Sequence, residues 1–170
     1  MRTATLEGLL VDELKDIYNA ENQIITVLPK LAEAVESDDL RIALERHLEE
    51  RRQHAERIEQ IFGQLDVEPI NRKCLGMQGL VEESKGMLQS SIEPDLLNVA
   101  LIGAVQRMEH YQLAAYGTAR AHARQLGLVN IANLLGQTLQ EDKEADRRLT
   151  ELAVSRVNLQ AAMRHGRLML

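Results

Sequence analysis

Aromatic side chains are nearly missing from this 170-residue chain, which has no Trp, one Phe (Phe62) and three Tyr (Tyr18, Tyr111 and Tyr116). Strands favour aromatic and β-branched residues, so the shortage argues against sandwiches and barrels. Only three prolines interrupt the chain, which leaves room for long helices. The single cysteine, Cys74, excludes an intramolecular disulfide framework and suits a reducing compartment. No uninterrupted apolar run is long enough to span a bilayer, and the opening MRTATLEGLLVDELKD lacks the apolar stretch of a signal peptide. The expectation is a cytoplasmic protein without a membrane partner. A formal charge of -6, with no clustered basic face, gives no basis for nucleic-acid binding. Gly-rich phosphate loops, GxSxG elbows and Cys-x-x-Cys pairs are also missing.

What is present is Leu, Ala and Ile at helical spacing, within a 45% hydrophobic share that can fill one core. One domain over residues 1–170 is expected, with four long helices at about 5–35, 40–65, 95–126 and 129–154. Pro29 falls inside the first and predicts a kink, because it removes one backbone donor. Ser37, Asp38 and Asp39 offer N-caps to the second, Pro94 suits the first turn of the third, and Gly127 suits its end. A crossover at 66–94 carries a short amphipathic piece around 75–88, expected to be broken by Gly76, Gly79 and Gly86. The tail, 156–170, has Leu159, Met163, Leu168 and Met169 and reads as a short docking helix or an oligomer contact. Short links within each pair of helices and one long link between the pairs predict two antiparallel hairpins. That is the all-α, ferritin-like four-helix bundle.

Polar residues interrupt the buried stripes at one depth. Glu21 is the missing tooth in Leu10–Leu14–Ile17–Ile24–Leu28–Leu31. Glu109 and Gln112 interrupt Ile102–Val105–Tyr116 in the third helix. The second reads Leu40–Leu44–His47–Arg51–His54–Ile58–Ile61 with Glu50 beside it. In the fourth, Asp142 is central in Ile131–Leu135–Thr138–Ala145–Leu149, flanked by Glu141 and Asp146. An unpaired buried carboxylate costs several kcal/mol, so these acids need a cation or a proton. Acids on all four helices, with His54 one turn after Glu50, form the pattern of a di-iron or di-manganese site. The three tyrosines lie within a turn or two of these acids, suited either to bonding a ligand carboxylate or to ordinary core packing.

At the stretches DELKDIYNAENQIITVLPKLAEA, HLEERRQHAERIEQIF, CLGMQGLVEESKG, EHYQLAAYGTARAHARQLG and TLQEDKEADRRLTELA the chain resembles the YciE/YciF-like ferritin-like proteins of bacteria. The resemblance implies a bundle with a short extra helix in the crossover, a homodimer, a link to stress responses and a dinuclear metal site. By the family pattern Glu21, Glu50, Glu109 and Glu141 match the terminal or bridging carboxylates, and His54 matches an imidazole ligand. There are departures. Gln112 stands where relatives carry a second glutamate, Ala145 occupies the second-hairpin counterpart of His54, and Arg51 lies on the core face. Two readings therefore stand side by side. One is a dinuclear iron or manganese protein acting on oxygen, peroxide or the metal itself. The other is a non-catalytic, stress-associated helical dimer with a degenerate, metal-free site, its acids tied up by Arg51, placed to neutralise Glu50 and Asp142, and by Lys143 and the histidines.

Overall fold

The computed structural model describes residues 4–69 and 72–164, all helix and connecting turns. Four long helices, α1 (Leu6–Ala34), α2 (Asp38–Leu65), α4 (Pro94–Gln125) and α5 (Val129–Leu152), form the bundle. α3 (Leu75–Gln89) lies in the crossover, and a wide π turn at Ala153–Val157 leads into α6 (Asn158–Arg164). α1 packs antiparallel on α2, α4 on α5, and α1 on α4, while α3 rests on α1 and α4. This is the ferritin-like arrangement expected from the two hairpins and the crossover.

The helix ends follow local chemistry. Thr5 caps α1 by accepting a hydrogen bond from the Gly8 N–H at 3.0 Å, and Ser37 does the same for α2 through Leu40. Pro29 lies inside α1 without ending it. Pro94 takes the first turn of α4, where its missing N–H has no helical acceptor to lose. Gly127, at φ +72°, donates to Arg124 O, and Leu128 donates to Ala123 O, the paired bonds that close a helix through a left-handed residue.

The crossover departs from expectation in one respect. α3 is continuous through Gly76, Gly79 and Gly86 rather than broken by them. Each glycine costs only about 1 kcal/mol in a helix, and Met77 and Val81 bury their side chains against the bundle. Gly76 has a further reason to be glycine: a Cβ there would come within 2.6 Å of the Tyr111 ring. In the tail, α6 buries Ala161 and packs on α4, whereas Leu168 and Met169 lie outside the described residues.

The apolar interior is divided. One half gathers Ile24, Leu28, Leu31, Leu44, Met77 and Met108 with their neighbours, and the other Leu10, Leu14, Ile17, Ile61, Phe62 and Leu135 with theirs. Each such side chain contributes about 1.5–3 kcal/mol on burial. Between the halves runs a layer of polar side chains, and it is buried just as completely.

Candidate functional site: a buried ion layer

Glu21 from α1, Arg51 from α2, and Glu109 and Gln112 from α4 are wholly buried in this layer, as is Asp142 from α5. His47 and His54 of α2 are 3% and 1% exposed. These are the positions at which the stripes lost their apolar residues, so helical periodicity alone turns them inward. Among the described residues Arg51 is the only buried Lys or Arg.

The Arg51 guanidinium takes the centre. Nη1 donates to both Glu21 oxygens at 3.1 and 3.3 Å, and Nη2 donates to Glu109 Oε2 at 2.6 Å and to Asp142 Oδ1. One side chain thus ties α2 to the three other long helices. Tyr116 donates its phenol hydrogen to Glu21 Oε1 at 2.8 Å. His47 Nε2 sits 2.7 Å from Glu109 Oε1 but off the line of a hydrogen bond, so that contact is an ion pair. His54 places Nδ1 3.4 Å from Asp142 and Nε2 2.9 Å from Glu141.

The electrostatics follow from burial and charge. Burial pushes the Glu109 carboxyl up, but Arg51 and His47 outweigh it and hold the group below its ordinary range. Burial raises Asp142 well above its ordinary range, and the neighbouring Glu109 and Glu21 add to that rise against the pull of Arg51. The imidazoles diverge. Burial would lower His47, yet the Glu109 carboxylate raises it overall, while burial and the Arg51 charge lower His54. Resolved by NMR, His47 should stay protonated above pH 6.5 and His54 neutral below it. Stability supplied by His47 is then present below pH 6.5 and lost as pH rises through its folded value. That from neutral His54 is lost as pH falls from 6.5 through its folded value. Two rings titrating together near 6.5 would contradict this geometry.

The five expected ligands do not gather. Glu21 and Glu109 face the centre and His54 lies at its edge, but Glu50 and Glu141 turn to the bundle surface. Arg148 donates to both Glu50 oxygens at 2.7 Å and Arg46 adds a bond at 3.1 Å. Arg57 holds Glu141 at 2.8 and 3.2 Å and also bonds Thr138. Asp142, flagged by periodicity, takes the inward place on α5, because consecutive helical residues point about 100° apart. Asp146 accepts from Gln106 instead, at 2.9 Å. Among the described residues no group of three or more His, Cys, Asp or Glu side chains is arranged to hold a metal ion. A dinuclear iron or manganese centre does not fit these side chains: a permanent cation sits among the inner carboxylates, and Glu50 and Glu141 are outside.

Sequence reasoning missed Arg57 and Arg148, whereas a tyrosine bonding one of the acids was among its readings and Tyr116 does so at Glu21. Arg46 was legible as a partner one turn before Glu50, whereas the others reach across helices and leave no local signal. Of the other tyrosines, Tyr18 donates to Glu59, while Tyr111 reaches Asp16 at 3.2 Å and the Cys74 sulfur at 3.1 Å.

Residues 5–162 match the family described as Domain of unknown function (DUF892). Protein YciF of Escherichia coli K12 is 40% identical over 162 residues, which is 95% of this chain and 98% of that protein. The crystal structure of the E. coli stress protein YciF superposes with a TM-score of 0.87 at 39% identity, covering 91% of this chain and 98% of that one. YcfI from Rhodopseudomonas palustris, described provisionally as a structural protein, gives 0.85 at 36% identity over 88% and 95% of the two chains. A Xanthomonas campestris protein, 18% identical over 95% and 97% of the two chains with a TM-score of 0.71, shares the fold. With its family profile, its sequence identity and its helical arrangement in agreement, the chain belongs to the YciF-like family described as a domain of unknown function (DUF892).

Proposed function

We propose that this protein is a non-catalytic, structural member of the stress-associated YciF-like family, a helical dimer of the cytoplasm with Arg51 as the resident cation of its polar layer. The reading rests on one observation: a wholly buried guanidinium in contact with carboxylates from three other helices. Arginine does not lose its proton in proteins, so the layer keeps a resident positive charge at every physiological pH and whatever the metal supply. The outer acids support the same reading, because Glu50 and Glu141 are already held by Arg148, Arg46 and Arg57. Such a layer sets the register of four helices, since any slip leaves a buried charge without its partner. The structural description of the R. palustris relative agrees with this role.

Elemental analysis of protein purified without chelator and without metal-affinity steps tests the proposal. Iron and manganese should both fall far below one equivalent per chain, and a chelator should leave the melting temperature unchanged. Two tightly bound equivalents would overturn it and restore the dinuclear alternative.

A further inference from the structure

A groove of about 180 Å³ runs between the first half of α2 and the second half of α5. Ala43, Ala145 and Leu149 give it an apolar floor, and Ile42, 63% exposed, stands on its rim. Three of its lining side chains, Arg46, His47 and Arg148, converge on the neighbouring Glu50 carboxylate. Arg148 bonds both oxygens of Glu50 at 2.7 Å, Arg46 Nε approaches at 3.1 Å, and His47 Nδ1 lies 3.7 Å away. His47 is 3% exposed, and its Nδ1 has no hydrogen-bond partner. Burial pushes the Glu50 carboxyl up, but His47, Arg148 and Arg46 bring it down to about 2. The acid that lines the groove itself, Asp39, is bound by Arg156.

Glu50 therefore displays how a carboxylate sits in this place, and it does so from a side chain that remains 20% exposed. The geometry points to a binding site for a small organic monocarboxylate. Its head takes the place of the Glu50 carboxylate between Arg46, His47 and Arg148, and its short apolar tail lies over Ala43, Ala145 and Leu149 towards Ile42. The groove has room for a short aliphatic chain. Inorganic anions satisfy the cations and leave the apolar floor uncovered. The site shares His47 and the Glu50–Arg148 pair with the structural reading above, but not the Arg51 contacts that carry it, so metal content tests that reading and ligand titration tests this one.

Glu50 acts as a tethered competitor, which makes the native affinity weak. Titrating hexanoate into the ¹⁵N-labelled full chain at constant ionic strength should give saturable shifts at His47, Ala145 and Leu149. Glu50→Gln removes the competing charge with little change of shape and should tighten binding at least tenfold. In that background, Arg148→Gln should abolish binding. Ile42→Glu, at an exposed position that leaves the fold intact, should weaken it several-fold. Equal affinity in the wild type and Glu50→Gln, no saturation in either, or sulfate binding as well as hexanoate would each overturn the proposal.

Discussion

Arg51→Thr should destabilise the protein by about 3–5 kcal/mol, the cost of breaking a buried ion pair from one side. At this chain length that is a fall of roughly 6–20 °C in melting temperature. Truncation removes the only buried Lys or Arg among the described residues and leaves Glu21, Glu109 and Asp142 facing one another. It also opens a space bounded by three carboxyls, with both histidines at its margin. Added manganese should therefore raise the melting temperature of Arg51→Thr well above that of the metal-free variant, because a ligand of the folded state stabilises by mass action. The wild type should shift little, since Arg51 already fills the place. Equal metal-induced shifts in the two proteins would reject competition between arginine and metal.

The second large effect carries the opposite sign to the one the sequence suggests. A lone glutamate on a buried stripe, taken by itself, is a cost, and Glu21→Leu should then stabilise the metal-free protein. In the folded bundle Glu21 accepts from Arg51 through both oxygens and from Tyr116 through one. Replacing it with leucine strands a guanidinium edge and a phenol hydrogen in the interior, so the expected result is a loss of about 3–5 kcal/mol. Chemical denaturation decides the sign. If the layer is saturated internally, replacing the group as a whole behaves differently. Leucine at 21, 109 and 142 combined with Arg51→Met should recover the loss and approach or exceed wild-type stability, by up to about 4 kcal/mol. A variant carrying all four changes that is as unstable as Glu21→Leu would show that the polar layer contributes net stability.

Much of the bundle is legible in the sequence alone. Period-3.6 spacing placed Glu21, His47, Arg51, His54, Glu109, Gln112 and Asp142 on inward faces, and all are buried. Local chemistry likewise marked Ser37, Pro94 and Gly127 at helix ends. These features depend on residues within a turn or two of one another, where a linear reading has full information. α3 was harder, because the glycines that weaken a helix locally are outweighed by the burial of Met77 and Val81 and, at Gly76, by the space the Tyr111 ring requires.

By itself the sequence determined the helices, their pairing into two hairpins, and the depth at which charge is buried, because each is set by periodicity and link length. Only the tertiary structure decided how that charge is neutralised. Whether Glu50 and Glu141 meet Glu21 and Glu109 around an ion depends on contacts 29 to 120 residues apart along the chain. So does the path of Arg51 into the space between them, and the reach of Arg148 across to Glu50. A long guanidinium side chain rooted on the inner face of α2 spans the layer and meets three carboxyls from other helices. The neighbouring Glu50 and Glu141, about 100° around their helices from Arg51 and Asp142, can only turn outward to the arginines of the surface.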